Sequence, residues 1–505
     1  MKKGKVWLVG AGPGDIGLLT VKGMDVLKNA EVVVYDSLVG MSILSKIPSK
    51  AEAINVGKRA ANHTMPQADI NSLLVKKAKE GYNVVRLKGG DPFLFGRGGE
   101  EVELLVKENI PYEIVPGVTS PIAVPAYNGI PVTHRDFCSS VHIITGHKKQ
   151  GDKYDIDFKA LVNTKGTLVF LMGVGSLKDI CDSLISAGMD KEMPAAILQK
   201  GTTAKQKKII ATVSTLYEEV QRIGIETPAI IVVGKVCALA EEFSWYDKLP
   251  LSGYKVLLTR PEEAGSVLAE KLRKKGAEVI ENPSIKTIPL KDQTLLYESL
   301  EHINTYDWIV FTSPIGVKVF FNELIKAGKD IRCLCNIKVA AIGQGTKKVL
   351  EEKGIIADLM PEIYDGEHLG KAIMEQLKGH EKIFIQRAKI GGKELINEIS
   401  KKDGVEVYDI PTYDTIYVSS GIIDEKNVFE TGEIDSAVFT SSSTVKGFTE
   451  SLKGLDFTKV KAACIGKQTK ATADSFGMET YMAEKATIDS LVELIVNMKN
   501  NKQEW

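Results

Sequence analysis

Residues 9–15 read VGAGPGD and follow a run of apolar residues. A glycine-rich turn at the end of a strand lets a ligand approach the backbone closely. The dinucleotide fingerprint GxGxxG is incomplete: Gly10 and Gly12 are in place, but position 15 is Asp. Pro13 also removes an N–H that a phosphate cradle would use. A nicotinamide cofactor is rejected on these grounds, and a purely structural turn is the alternative. A second cluster, VVRLKGGDPFLFGRGGEE over residues 84–101, carries more information. Its glycines allow contact with a nucleoside, and Asp91 offers acceptors to hydroxyl or ammonium groups. Arg86, Lys88 and Arg97 supply positive charge for carboxylates. Read as a solvated basic strand end, the segment would leave its glycine pattern unexplained.

Other chemistries are not signalled. Seven histidines, His63 and His147 among them, lie far apart without HxH or HExxH spacing, so no metal site is expected. Six cysteines include no CxxC pair, and Cys333 with Cys335 reads as reduced thiols. Lys+Arg and Asp+Glu balance at 65 each, which argues against a nucleic-acid binder. No stretch approaches the roughly 18 to 20 apolar residues of a membrane helix. Glycines and Asp15 interrupt any signal-peptide pattern, so a cytoplasmic protein is expected.

The elements that must position these residues are legible. Lys5–Val9, Glu31–Tyr35, Asn83–Leu87, Val141–Thr145, Thr167–Leu171 and Ala229–Val233 read as strands, apolar enough for a sheet covered on both faces. Pro66 opens a helix to Glu80 that Gly81 closes, and Ser176 caps another ending before Gly188. Strand–helix alternation implies an α/β protein, and 505 residues imply several domains. The segment 241–253 lacks apolar periodicity and marks a boundary; a new strand begins at Tyr254. Beyond it the sequence repeats itself. WIVFTSPIGVKVFF (308–321) is echoed by AVFTSSSTVKGF (437–448), and AAIGQGTKKVL (340–350) by ACIGKQTKATA (463–473). Two similar α/β lobes follow, which need not be contiguous.

VGAGPGD, YDSLV (35–39), GKR (57–59), the 84–101 cluster, VPGVTSPIAVPAYNGIPVTHRD (115–136), LVFLMG (168–173), GTTAKQ (201–206) and TPAIIVVG (227–234) together resemble uroporphyrinogen-III C-methyltransferase. The resemblance covers about residues 4–240. It implies a two-lobed class III (tetrapyrrole) methyltransferase fold, usually a homodimer, with S-adenosylmethionine between the lobes and S-adenosylhomocysteine as product. The family's cofactor contacts fall on Pro13, Gly89, Gly90, Asp91, Leu94, Thr119, Ser120, Met172 and Gly201, with Ala229 a further contact. Its acid–base roles fall on Asp36 and Lys58, for which substrate or helix-end positioning is the alternative. Uroporphyrinogen carries eight carboxylates, and Lys58, Arg59, Arg86, Arg97, His134 and Arg135 are the cations in motif regions that suit them.

VLLTRP (256–261), FTSPIGV (311–317), AIGQGT (341–346), PTYDT (411–415), FTSSSTV (439–445) and CIGKQT (464–469) resemble uroporphyrinogen-III synthase over about residues 252–500. The resemblance implies a bilobal α/β domain that closes linear hydroxymethylbilane into a ring. Tyr413 matches a tyrosine that helps the terminal hydroxyl leave; packing or substrate binding is its alternative. Arg260, Ser313, Thr346, Ser441, Ser442 and Thr469 are expected to bind substrate through hydroxyls and turn N–H groups, although Arg260 could equally anchor its own turn. The expected division is methyltransferase over 1–245, linker over 246–253 and synthase over 254–505. Within the synthase, one lobe takes 254–288 plus 414–505 and the other 289–413, with connections near 286–290 and 411–416. No dehydrogenase–ferrochelatase module precedes Lys5, so the expected product is precorrin-2, a precursor of sirohaem and cobalamin. The rival reading is a methyltransferase of the same class acting on RNA or protein, joined to a non-catalytic binding module.

Overall fold

The computed structural model describes residues 4–57, 65–146, 156–260, 262–419 and 421–502, the side chains of 262–266 and 502 excepted. Among these residues the strands form four five-stranded sheets. The first contains β1 (Val6–Gly10), β2 (Val32–Tyr35), β3 (Glu52–Asn55), β4 (Val84–Lys88) and β5 (Tyr112–Val115), in the order β3-β2-β4-β1-β5 with every pair parallel. Apart from Arg86 and Lys88 on β4, its central strands are apolar because both faces are covered. Leu8, Val34, Leu74 and Leu105 pack on one side, and Val9, Val33, Ile43 and Leu87 on the other. Each fully buried side chain of this size contributes on the order of 2 kcal/mol. The helix expected after Pro66 runs Gln67–Lys79, and Gly81 behind it adopts a φ of 96°.

The second sheet contains β6 (Val141–Thr145), β7 (Thr167–Leu171), β8 (Pro194–Gln199), β9 (Lys207–Thr212) and β10 (Ala229–Val233), in the order β6-β7-β10-β8-β9. Only the β6–β7 pair is parallel. Strand–helix alternation therefore lapses between β8 and β9, where a seven-residue-scale turn replaces a crossover helix. Ser176 does precede the helix Leu177–Ser186, but its hydroxyl makes no capping bond.

β11 (Lys255–Leu258) and β12 (Glu278–Glu281) begin the third sheet. The chain then builds the whole of the fourth: β13 (Ile285–Pro289), β14 (Trp308–Phe311), β15 (Lys338–Ala341), β16 (Lys382–Ala388) and β17 (Glu406–Tyr417), ordered β13-β17-β16-β14-β15. It returns to the third with β18 (Ser436–Phe439), β19 (Lys461–Cys464) and β20 (Glu479–Met482), giving the parallel order β12-β11-β18-β19-β20. The connections expected near 286–290 and 411–416 form one antiparallel ladder, with Ile285 opposite Tyr417 and Pro289 opposite Tyr413. The internal echo is structural. Ser313 accepts the Gly316 N–H at 2.9 Å to cap the helix Pro314–Lys326 after β14, and Ser441 accepts the Thr444 N–H at 3.3 Å after β18. β16 and β11 also occupy equivalent places in their sheets, with Arg387 and Arg260 near the corresponding ends, a correspondence too faint to see in sequence.

The chain packs as two compact units: Met1–Pro283 with Ser419–Val445 and Leu452–Trp505, and Ser284–Val418 with Lys446–Ser451. Among the described residues no helix is long and apolar enough to cross a membrane.

Candidate functional sites

In the first sheet, the turns after β1, β4 and β5 meet at the carboxyl ends of parallel strands, where α/β sheets place ligands. The Gly12 N–H donates to the Gly90 carbonyl at 3.1 Å and the Gly90 N–H to the Gly12 carbonyl at 2.8 Å. The turns approach so closely that a Cβ at Gly117 would stand 2.2 Å from the Gly90 oxygen. Asp91 ties them together: its carboxylate accepts the N–H groups of Phe93 at 2.8 Å, Leu94 at 3.2 Å and Gly117 at 3.0 Å. Gly90 itself has a φ of 68°, and a Cβ there would project into open space. Backbone is thus bared to a free volume, as a flat nucleoside requires. Thr119 and Ser120 lie at the start of the helix Ser120–Tyr127, and the Thr119 hydroxyl forms no cap bond.

The second sheet adds its own residues. Met172 follows β7 directly with a φ of 55° and is 55% exposed, an unusual posture for a large apolar side chain. Gly201 follows β8 so tightly against Val124 that a Cβ would lie 2.3 Å from its Cγ1. The Ala229 side chain is buried in the sheet core, leaving its backbone as the part able to meet a ligand. Pro13 sits in a turn held from both sheets. The Asp15 N–H donates to the Thr202 hydroxyl at 3.2 Å, and the Tyr127 hydroxyl donates to the Asp15 carboxylate at 2.8 Å. Nothing in the sequence signalled these two contacts, because each joins residues more than a hundred positions apart. Glycines, a clamped acid, an unspent hydroxyl and a sulfur side chain suit S-adenosylmethionine.

The expected substrate cations divide. Arg86 was expected at substrate carboxylates, but it is 3% exposed and committed inward. Its guanidinium donates to Glu101 at 3.1 Å, to the Val34 and Leu87 carbonyls at 3.3 and 3.1 Å, and reaches Asp36 at 3.5 Å. Lys88 donates to the same Glu101 oxygen at 3.0 Å, and its burial, followed by the charge of Arg86, holds its pKa below the ordinary lysine value. A buried cation of this kind needs a fixed counter-charge, which Glu101 provides. Arg86 is therefore a strut under Asp36, whose carboxylate also accepts the Leu38 N–H at 3.1 Å and remains 24% exposed. Arg97 is exposed and paired with Glu100 at 2.7 Å. His134 is half-buried, its ring 4.9 Å from that of Phe137, and Arg135 is exposed. Lys58, Arg59, His63 and His147 lie outside the described residues. Among those described, no group of His, Cys, Asp or Glu is placed to hold a metal ion.

In the fourth sheet, Tyr413 is 6% exposed and its phenol oxygen lies 2.7 Å from the Ser313 hydroxyl. Burial raises the phenol pKa above its usual value, so the group stays protonated and able to donate. Beside it the Gln386 amide donates to the Thr412 hydroxyl, both residues being fully buried. A cavity of about 490 Å³ opens on the same strand, lined by Pro289, Lys291, Lys389, Pro411 and Asp414 among others. Thr346, expected at substrate, is 2% exposed in the first turn of the helix Gln344–Glu352. Its counterpart Thr469 is 4% exposed in the helix Lys467–Asp474, so in both copies the threonine is withdrawn from solvent. In the third sheet the Ser441 hydroxyl bonds that of Ser443 at 2.9 Å, and Ser442 donates to the Gln468 carbonyl at 3.1 Å. Arg260 is half-buried there, and desolvation lowers its pKa. Its equivalent Arg387 is instead held by both oxygens of Asp409, at 2.5 and 2.6 Å.

Two family models match separate stretches of the chain. Residues 5–217 match the family model of tetrapyrrole (corrin/porphyrin) methylases, and residues 266–493 that of uroporphyrinogen-III synthase. The porphyrin biosynthesis protein HemD of Ruminiclostridium josui is 47% identical over 99% of both chains. A uroporphyrinogen-III C-methyltransferase of Bacillus subtilis is 42% identical over 70% of this chain and 73% of its own. A crystal structure of the Thermus thermophilus uroporphyrin-III C-methyltransferase, complexed with S-adenosylhomocysteine, is 38% identical and spans 46% of this chain and 99% of its own, with a TM-score of 0.41. The chain belongs to the family in which a tetrapyrrole methylase and a uroporphyrinogen-III synthase are joined, and it is a bifunctional enzyme of tetrapyrrole biosynthesis.

Proposed function

We propose that the synthase half closes hydroxymethylbilane to uroporphyrinogen III, and that the methyltransferase half then transfers two methyl groups from S-adenosylmethionine to give precorrin-2. The observation that carries the reading is the glycine-backed notch at Gly10, Gly90 and Gly117, drawn shut by Asp91 and open in front of Gly90. S-adenosylmethionine supplies an electrophilic methyl, and an electron-rich pyrrole carbon attacks it. The chain's task is alignment. Gly89, Gly90, Leu94, Thr119, Ser120, Met172, Gly201 and Ala229 hold the nucleoside. Asp36, steadied by Arg86, receives the proton lost after methylation, with Lys58 as its partner. Arg59, Arg97, His134 and Arg135 bind substrate carboxylates.

In the second half, the Tyr413 phenol donates a proton to the departing hydroxyl while Ser313 fixes the direction of its O–H. The pyrroles stabilise the resulting cation, so no buried acid–base pair is needed. Arg260, Ser441 and Ser442 hold carboxylates. The working division is 1–245, 246–253 and 254–505, and the methyltransferase half mediates a homodimer. Purified protein given hydroxymethylbilane and S-adenosylmethionine is expected to yield precorrin-2, with uroporphyrinogen III accumulating when the methyl donor is omitted. Uroporphyrinogen I as sole cyclic product would remove the synthase reading, and uroporphyrinogen III that is never methylated would remove the other.

A further inference from the structure

The first compact unit joins the methyltransferase half to the third sheet along the edge strand β12. An open strand edge is normally covered or blunted, and here Lys46 and Ala204 of the methyltransferase half and Tyr246 at the start of the linker cover it. The Tyr246 hydroxyl donates to the Gly276 carbonyl at 3.2 Å, just before the strand. The Ala204 N–H donates to the Glu278 carboxylate at 2.8 Å. Lys46 pairs with Glu281 at 2.9 Å, and Arg273 reaches the same carboxylate oxygen at 2.6 Å. The Lys46 and Glu281 side chains are only 12% and 7% exposed, so the pair is shielded from water and salt.

Lys46, Ala204 and Tyr246 each stand one step from the turn Pro13–Asp15. Lys46 follows the helix Met41–Leu44, whose Ser42 hydroxyl donates to the Gly14 carbonyl at 3.2 Å. Ala204 lies two residues past Thr202, whose hydroxyl accepts the Asp15 N–H at 3.2 Å. The Tyr246 ring packs 5.0 Å from that of Tyr127, whose hydroxyl donates to the Asp15 carboxylate at 2.8 Å. Three separate routes thus run from one synthase strand to one turn. That turn needs outside support: Gly12 and Gly14 have φ values of 76° and 156°, conformations glycine reaches easily and leaves easily.

We propose that β12 braces the cofactor turn of the methyltransferase, with Lys46, Ala204 and Tyr246 acting as positioning residues that set affinity for the methyl donor. The proposal rests on reading Pro13–Asp15 as part of the cofactor site. Preorganisation of this kind lowers the ordering cost of binding without adding a contact to the ligand.

The test uses the full chain carrying Lys46→Met with Tyr246→Phe. Calorimetry is expected to show S-adenosylhomocysteine bound about tenfold more weakly than by the wild type, a coupling of ordinary size. KM for the methyl donor rises in step while kcat at saturation is retained. Amide exchange quickens at residues 12–17, hydroxymethylbilane cyclisation is unchanged, and Lys46→Arg with native Tyr246 restores most of the affinity. Affinity and exchange indistinguishable from the wild type would overturn the brace. Should the double variant aggregate, Tyr246→Phe alone keeps the ring packing; it is expected to quicken exchange at Asp15, and unaltered exchange there overturns the brace equally. If the wild type takes up no S-adenosylhomocysteine, the cofactor reading falls and the brace with it. If wild type and variants bind alike, only the brace falls.

Discussion

The phenol of Tyr413 and the hydroxyl of Ser313 form a hydrogen bond of 2.7 Å, and Ser313 is itself pinned by the Gly316 N–H at 2.9 Å. The phenol therefore has a fixed partner on a helix cap rather than a mobile one. Tyr413→Phe keeps the ring and deletes the donor. Cyclisation of hydroxymethylbilane is expected to slow about a hundredfold, the low end for general acid catalysis, with product shifting toward uroporphyrinogen I. The loss in stability is about 1 kcal/mol. Retention of rate and isomer, read by chromatography of the oxidised porphyrins, would reduce Tyr413 to packing.

Glu101 is fully buried and serves both Arg86 and Lys88 through one oxygen. Glu101→Leu strands two cations beneath Asp36. The expected cost is about 3–5 kcal/mol, measured as a lower urea midpoint, and methyl transfer falls with it.

Two glycines of the notch are expected to respond differently to a methyl group. Gly117→Ala drives a Cβ to 2.2 Å from the Gly90 oxygen, so the turns must separate. A destabilisation of about 1–3 kcal/mol and loss of S-adenosylhomocysteine binding are expected. Gly90→Ala meets no atom, but its φ of 68° disfavours a side chain. It is expected to fold at a cost of about 1 kcal/mol and to weaken binding through intrusion into the free volume. Equal affinity in Gly90→Ala, read by calorimetry, would place the nucleoside elsewhere.

Glu425 is 6% exposed and accepts a hydrogen bond from Asn282, next in sequence to Glu281. Burial pushes its pKa from 4.5 up to about 7. A carboxyl that titrates higher when folded favours the native state in its protonated form. This stabilisation is complete below about pH 4.5 and is lost as pH rises through about 7. Glu425→Gln keeps the neutral form at every pH. Above pH 7 it is expected to be more stable than the wild type by up to about 3 kcal/mol, and the difference should vanish at low pH. Parallel stability–pH curves for the two proteins would refute the assignment.

The parts of the fold that local pattern controls were legible. Apolar runs located β1, β2, β4, β6, β7 and β10, whereas β3 and β5 mix polar residues and are half exposed at sheet edges, which hides them. The FTS echo located two lobes because a serine cap has a local signature. The missed features depend on distance. Arg86 and Lys88 were read as positive charge for carboxylates, yet they alternate on one face of a strand otherwise apolar, a pattern that demands one buried acid between them. Glu101, in the first turns of the helix covering that face, was the candidate in plain view. The Asp15–Tyr127 bond and the Lys46–Glu281 pair left no such trace, since neither residue type nor spacing announces a partner that far along the chain.

The interrupted third sheet also dictates an order of assembly on the ribosome. β11 and β12 emerge early, but their neighbour β18 is made only after every strand of the fourth sheet. The inserted body can close on itself first, since its entry and exit strands pair with each other at Ile285 and Tyr417. Meanwhile the first two strands wait unpaired on one side, the side β18 will occupy. A nascent chain that has emerged only as far as residues 420–435 should therefore carry a complete fourth sheet and a half-built third, and that interval is where a chaperone would find its client.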